Sequence, residues 1–206
     1  EIVNCDVGQG DALLIRSQGQ TMLIDVGRDS SLIASCLQDN DVSRIDLLVL
    51  SHYDYDHVGG IEGLEKIEIE RVLVSGFDDT RDAVRMVDDF LAQGSALVAT
   101  GYRGMTGDFG SGFWEIVSPT ANAAGALNAN DASLVILLTL PNMQVLALGD
   151  IGEDIQERIL NQGLIGRIDE RKPLILKVSH HGSADQSLAF HQYLAPEVSI
   201  ISVGEN

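Results

Sequence analysis

Cations are scarce in this chain: 13 lysines and arginines stand against 31 aspartates and glutamates in 206 residues, a formal net charge of −18. That shortage argues against nonspecific nucleic-acid binding through a basic surface, because neutralising phosphates supplies most of such affinity. No apolar stretch approaches the ~20 residues of a membrane span. Nor does a basic segment lead into an apolar one at the N-terminus, so the segment is expected to be soluble and to carry no signal. It opens inside an apparent strand, Glu1 to Val7, and closes on Val203-Gly204-Glu205-Asn206, which reads as a piece of a larger protein. Cysteine is limited to Cys5, alternating with Val3 and Val7 on a strand face, and Cys36, on a helical face with Leu32, Ile33 and Leu37. Both read as core residues, and the pair neither demands nor excludes a disulfide. The acidic pairs Asp78-Asp79 and Asp88-Asp89 read as solvated faces, since unpaired Asp is rarely buried.

What is present is a 45% hydrophobic chain, long enough for one well-buried core and short for two, so residues 1–206 are expected to form a single domain. Strand patterns cover Ile2 to Val7, Ala12 to Ser17 and Met22 to Val26, joined by Gly-rich turns as an antiparallel meander. Ser30 to Gln38 has helical spacing, Ile45 to Leu50 reads as a buried strand, and Arg71 to Ser75 as another. Thr80 to Gln93 is predicted as an amphipathic helix with Thr80 as N-cap and Gly94 as its stop. In the second half, Ala96 to Thr100, Phe113 to Val117, Leu134 to Leu140, Gln144 to Leu148, Leu174 to Val178 and Val198 to Val203 read as strands. Glu153 to Asn161 and Leu188 to Leu194 read as helices, and Gly104 to Gly112 and Ala121 to Asn130 as loops. Strand runs in both halves with helices between them predict an α+β fold, two sheets face to face with helices on their outer faces.

The phrase His52-Tyr53-Asp54-Tyr55-Asp56-His57-Val58-Gly59-Gly60 puts two His and two Asp into six residues behind a buried strand. Crowding carboxylates and imidazoles there is costly unless a cation offsets the charge. Two other strands also end in metal-ligand residue types, one at Gly149-Asp150 and one at His180-His181-Gly182-Ser183. Strand ends on one sheet edge converge, so these residues can share a site. His52 and Asp54 alternate and can face one metal; Asp56 and His57 can face a second, with Asp150 as the bridging carboxylate. A cation pair about 3.5 to 4 Å apart would activate water and polarise a phosphoryl or carbonyl oxygen.

These motifs resemble the metallo-β-lactamase superfamily, whose signature is H-x-H-x-D-H on the loop after a strand; here Asp54 stands at the usual second His. Leu23-Ile24-Asp25-Val26-Gly27 is similar to the family's early Asp-Gly motif, which implies that Asp25 supports the metal histidines. Leu148-Gly149-Asp150 matches the bridging Asp motif, and Val178-Ser179-His180-His181-Gly182 the His-Gly ligand motif, favouring His181 over His180 as the ligand. Members with two zinc ions have a further His before the strand leading to the bridging Asp. Here that stretch is Asn128-Ala129-Asn130-Asp131-Ala132-Ser133-Leu134-Val135, which leaves the first metal short of a ligand, using Asn130 or Asp131, or more weakly held. Oxygen for nitrogen at Asp54 shifts preference from zinc towards manganese or magnesium.

Asp6-Val7-Gly8-Gln9-Gly10-Asp11-Ala12, followed in order by S-H-x-D-x-D-H-x-G-G, N-D-x-S-L-V, G-D-I and H-H-G-S, narrows the resemblance. The set resembles the metallo-β-lactamase-like domain of ComEC-type DNA-uptake competence proteins across nearly the whole chain. That resemblance implies a four-layer αββα sandwich and a nuclease that degrades the non-transported DNA strand during transformation. It also implies attachment to the remainder of a membrane channel protein, on the extracytoplasmic side of the cytoplasmic membrane. The expected cofactors are two divalent metal ions, Mn or Zn with Mg as a further option, and no small organic cofactor; the expected partner is DNA, single-stranded. The expected ligands are His52, Asp54, Asp56, His57, Asp150 and His181, and the expected catalytic residues Asp56, Asp150 and His180. Asp11, Asp25, Asn130, Ser133, Ser183 and Ser187 are expected to orient ligands or hold substrate. Three other readings compete: a phosphodiesterase on a small or cell-wall substrate, which the acidic surface suits; a diiron redox protein; and a non-catalytic binding module. Flavodiiron proteins also carry a carboxylate at the second motif position, but theirs is Glu with an attached flavin domain.

Overall fold

The computed structural model describes residues 1–204. In chain order the first half contains β1 (Ile2–Asn4), β2 (Leu13–Ser17), β3 (Gln20–Ile24), α1 (Ser30–Asp39), β4 (Arg44–Ile45), β5 (Leu47–Leu50) and α2 (Tyr55–Val58). It continues through β6 (Glu68–Ile69), β7 (Arg71–Val74), α3 (Asp82–Gln93) and β8 (Leu97–Thr100). The second half contains β9 (Thr106–Phe109), β10 (Gly112–Ser118), β11 (Val135–Thr139), β12 (Gln144–Ala147), α4 (Glu153–Ile159), β13 (Leu174–Lys177), α5 (Leu188–Leu194) and β14 (Val198–Ile200). Two six-stranded sheets form, ordered β1-β2-β3-β5-β7-β8 and β14-β13-β12-β11-β10-β9. Each has an antiparallel half from hairpins and a parallel half fed through helices.

Side-chain alternation sorts the apolar residues into three buried clusters, and these define four layers. Leu13, Ile15, Met22, Ile24, Leu47 and Val49 face Trp114, Ile136, Leu138 and Val145 between the sheets. Their neighbours Leu14, Leu23, Leu48 and Leu50 face the other way, onto Ile33 and Leu37 of α1 and Val87 of α3. On the second sheet Leu137, Leu146, Leu174 and Leu176 pack under Ile155 and Ile159 of α4 and Phe190 and Leu194 of α5. Burial on both faces is why the central strands read as unbroken apolar runs. The order is helices, sheet, sheet, helices, as the sequence predicts.

Several elements differ from expectation. The first strand stops at Asn4, short of Val7, and the last at Ile200, short of Val203; Glu205 and Asn206 lie outside the described residues. The Ile45 to Leu50 strand is broken at Asp46, whose Oδ2 accepts the Thr21 N–H at 2.7 Å; Arg44–Ile45 instead pairs with β6. β9 falls in a stretch read as loop, formed because Thr106 to Phe109 finds a hairpin partner in β10. Thr80 does not cap α3: the helix starts at Asp82, because Asp79 Oδ1 accepts the Arg81 N–H at 2.9 Å and draws residues 79–81 into a turn. Asp79 is not a solvated face either, since its side chain is only 5% exposed and pairs with Arg81. Cys5 and Cys36 form a disulfide that ties the segment after β1 to α1.

Candidate metal centre

The C-terminal ends of β3, β5, β12 and β13 open onto one edge of the sandwich, because the pairs β3–β5 and β12–β13 are each parallel. The two sheets are joined at that edge where Leu134 donates its N–H to the Ser51 carbonyl at 2.8 Å. β5 therefore delivers Ser51 and His52, β12 delivers Gly149 and Asp150, and β13 delivers Ser179 to His181 to a common volume. His57 Nε2 lies 3.2 Å from Asp150 Oδ1, His181 Nε2 lies 3.2 Å from Asp56 Oδ2, and His52 Nε2 lies 3.6 Å from Asp54 Oδ2. Asp150 Oδ2 is 4.0 Å from His52 Nε2 and 3.7 Å from His181 Nε2, so this carboxylate stands among all three imidazoles. Donor atoms of His52, His57 and Asp150 lie within 4.8 Å of one another, as do those of Asp56, His57 and His181.

Each imidazole is fixed through its far nitrogen. His57 Nδ1 meets Asp25 Oδ2 at 2.9 Å, and Asp25 also accepts the Ser51 N–H and hydroxyl, each at 2.7 Å. Ser51 Oγ in turn lies 3.0 Å from His52 Nδ1. His181 Nδ1 lies 3.0 Å from the Ser202 carbonyl and 3.2 Å from Asp11 Oδ1, and Asp11 is held by the buried Lys177 ammonium at 2.7 Å. These contacts aim the near nitrogens at the shared volume.

There the near atoms approach one another without forming well-aligned hydrogen bonds: His52 Nε2, His57 Nε2, His181 Nε2 and Asp150 Oδ1 are buried without hydrogen-bond partners among the described residues. One unpartnered buried polar group costs about 1–3 kcal/mol, so four converging ones need a common partner. Imidazole nitrogens and carboxylate oxygens are the donor types of zinc and manganese sites, so the residues present fit a divalent cation. The protonation pattern agrees. Burial opposes charge on His57, but Asp25 and Asp150 outweigh it and raise its pKa well above the ordinary value; burial is likewise overcome at His181, raised to about 10 by Asp11 and Asp56. Burial pushes the Asp150 carboxyl up, but the three histidines, His57 foremost, hold it below the usual range. A cation held by His57 and His181 would have to displace the protons that these raised values favour.

The Asp54 side is built differently. His52 and then Arg81 hold the Asp54 carboxyl below the usual range against partial burial, and Arg81 Nη1 reaches Asp54 Oδ1 at 2.5 Å from outside the cluster. Asp131, an alternative for the absent histidine, accepts the Leu127 N–H at 3.0 Å within its own loop. Asn130 lines a cavity with Asp54 and Arg81.

The Gly-rich motifs have a local cause. A side chain at Gly10 would place its Cβ 2.0 Å from the Asp56 carbonyl oxygen, so only glycine lets this loop press against the Asp56 turn, where Asp11 donates its N–H to Asp56 at 3.2 Å. Gly149 has a φ of +55°, and a Cβ there would meet Ser133 at 2.7 Å. Asp25, His180 and His181 also take left-handed φ values of 60°, 49° and 53°. Non-glycine residues in that region carry about 1–3 kcal/mol of strain and gather at functional sites.

The remaining sequence-derived residues divide. Ser133 is buried and its Oγ accepts the Asp150 N–H at 3.1 Å, so it orients Asp150. Ser187 caps α5 through the Phe190 N–H at 3.3 Å, a structural part in place of the expected substrate contact. His180 is half-buried, with its ring centroid 6.3 Å from that of His181, and belongs to neither donor group. Ser183 Oγ is buried without a partner among the described residues. Sequence reasoning missed Ser51, Arg81 and Lys177; the last was signalled by a lone cation inside the apolar run Leu174-Ile175-Leu176-Lys177-Val178.

Comparison with known proteins places this geometry. The metallo-beta-lactamase superfamily profile matches residues 5–205. ComE operon protein 3 of Bacillus subtilis (strain 168) is 26% identical over 229 residues, covering 100% of this chain and 28% of that protein. Recombination protein 2 of Haemophilus influenzae is 30% identical over 212 residues, covering 99% of this chain and 24% of that protein. The chain thus spans about a quarter of the length of these curated relatives. Among solved structures, a diphosphatase from the PhnP family superposes with a TM-score of 0.55 at 14% identity, covering 92% of this chain and 71% of that one, a likeness of fold. The chain belongs to the metallo-β-lactamase superfamily, and the curated relatives it matches along its length are competence proteins of the ComEC type.

Proposed function

We propose that this domain is a metal-dependent phosphodiesterase that cleaves DNA, acting on the single strand left outside during uptake. The observation that carries the reading is the convergence of His52, His57, His181 and Asp150 through buried ligand atoms that make no hydrogen bond among the described residues. Two divalent cations are proposed: Asp56, His57 and His181 would hold one and His52 and Asp54 the other, with Asp150 near enough to the three imidazoles to contribute to either. Asp54 in place of nitrogen favours manganese over zinc. When bound, such cations supply positive charge against the phosphoryl oxygens and acidify an attacking water.

The chain's own residues set the geometry. Asp25 and Ser51 fix His57 and His52, Asp11 and Ser202 fix His181, and Ser133 fixes the turn that presents Asp150. Asp56 lies at the mouth and is partly exposed, placed to orient the nucleophile. His180, beside His181 and outside the donor groups, is the side chain available to hand a proton to the leaving oxygen.

Names among the relatives, ComE operon protein 3, competence protein ComA and recombination protein 2, support a part in DNA uptake, with the rest of a membrane channel attached. No helix among the described residues is long and apolar enough to cross a membrane. The Cys5–Cys36 disulfide supports the extracytoplasmic side, since such bonds persist in oxidising compartments.

The test is cleavage of single- and double-stranded oligonucleotides by protein stripped with chelator and reloaded with manganese or zinc. Restored cleavage is expected; metal-loaded protein that leaves both intact overturns the reading. The net charge of −18 favours a second reading, a phosphodiesterase of small substrates. Faster turnover of bis-p-nitrophenyl phosphate or choline diesters than of oligonucleotides would select it.

A further inference from the structure

A cavity of about 330 Å³ adjoins the cluster, lined by Asp54, Phe77, Asp79, Arg81, Asn128 and Asn130 among others. Asp54 is the shared wall: one of its carboxylate oxygens lies 3.6 Å from His52 Nε2, and the other is held by Arg81 at the cavity. A group bonded to a phosphodiester on the cluster would therefore enter this cavity. Its volume is at the low end of the ~300–1,000 Å³ of ligand pockets, so it takes one small group.

The lining selects that group. Two carboxylates, Asp54 and Asp79, stand against one guanidinium, Arg81, which excludes a second phosphate. Phe77 is half-buried and is the aromatic residue of the lining. Asn128 Oδ1 accepts the Asp131 N–H at 2.9 Å, which keeps that side chain in place with its Nδ2 making no hydrogen bond among the described residues. A flat, uncharged group with a hydrogen-bonding edge matches a ring face flanked by amides. Resting on the phosphodiesterase reading, we infer that this cavity is a subsite for the nucleobase flanking the cleaved bond, stacked on Phe77 and read at its edge by Asn128 and Asn130. Base stacking on an aromatic side chain is worth about 1–3 kcal/mol, or roughly 5- to 150-fold in rate constant.

The test compares kcat/KM of the manganese-loaded protein for single-stranded oligothymidylate and for a strand of equal length built from tetrahydrofuran abasic spacers. The base-bearing strand should be cut about 5- to 150-fold more efficiently. Phe77→Ala should collapse that ratio to within about twofold, mainly through KM, while Phe77→Trp retains it. Asn130→Ala, whose side chain makes no hydrogen bond among the described residues, should lower the ratio without threatening the fold. Equal cleavage of the two strands by the unaltered protein, or a ratio that Phe77→Ala leaves unmoved, overturns the subsite and leaves the phosphodiesterase reading standing. Failure to cut either strand overturns both.

Discussion

The two sides of the candidate metal centre are held by different means. On the His57 and His181 side, each imidazole is backed by a buried carboxylate, Asp25 and Asp11, and Asp11 is itself neutralised by buried Lys177. On the His52 and Asp54 side, His52 leans on Ser51, while Asp54 is 29% exposed and held by Arg81, itself 48% exposed. Buried charge pairs are fixed because breaking them costs about 3–5 kcal/mol; half-exposed pairs contribute about 0–1 kcal/mol. The difference teaches that the His57 and His181 half is held by buried charge pairs, whereas buried His52 is held by a hydroxyl and Asp54 by a half-exposed guanidinium next to the cavity proposed for substrate. If two cations bind as proposed, the one on His57 and His181 should be held tightly and the one on His52 and Asp54 more weakly.

The harshest way to break the comparison is to remove what both sides share. Asp150→Ala should abolish DNA cleavage and lower metal content, beyond the ~10- to 100-fold typical of residues that only support ligands, as read by elemental analysis and rate. Next comes the buried side. Lys177→Met leaves the buried Asp11 carboxylate with His181 as its remaining ion-pair partner and should cost up to about 3–5 kcal/mol, measured by denaturant unfolding of the metal-free protein. The smallest effect belongs to the Asp54 side: Arg81→Ala should change that stability by at most ~1 kcal/mol yet weaken binding of the cation proposed at His52 and Asp54, read by manganese titration.

Acidity sharpens the contrast. The raised pKa values of His57 and His181 stabilise the metal-free protein below the ordinary 6.5, and that contribution fades as pH rises towards about 10. The depressed carboxyls of Asp54 and Asp150 contribute stability above 3.8 that is lost as pH falls below it. Metal-free protein should therefore be most stable between 3.8 and 6.5. Because a cation needs neutral imidazole, the gain in Tm on metal loading should grow from about pH 6 to about pH 9. A gain independent of pH across that interval would contradict the protonation pattern.

Where apolar alternation governs, the sequence was legible: Leu13 to Ile15, Leu47 to Leu50 and Val145 to Leu148 sort into the clusters that define four layers. The residue types that converge at the strand ends could likewise be picked out, since His52, His57, Asp150 and His181 sit in short motifs. What could not be read depends on partners distant in sequence. Asp79 looked like surface charge until the Arg81 side chain that covers it came into view. β9 has weak strand composition and exists through its pairing with β10. The Cys5–Cys36 bond and the Lys177–Asp11 pair each join segments whose approach only the fold decides. The bond closes a loop with a sequence separation of 31. In the chain-entropy picture such a loop adds about 3–4 kcal/mol, so reduction should lower Tm in a denaturation scan.

The most direct test is titration of chelator-stripped protein with manganese, followed by electron paramagnetic resonance, in the unaltered chain and in His52→Ala and His181→Ala variants. The account predicts two classes of site, the weaker removed by His52→Ala and the tighter by His181→Ala. A single class untouched by either substitution, or no binding at all, would contradict it.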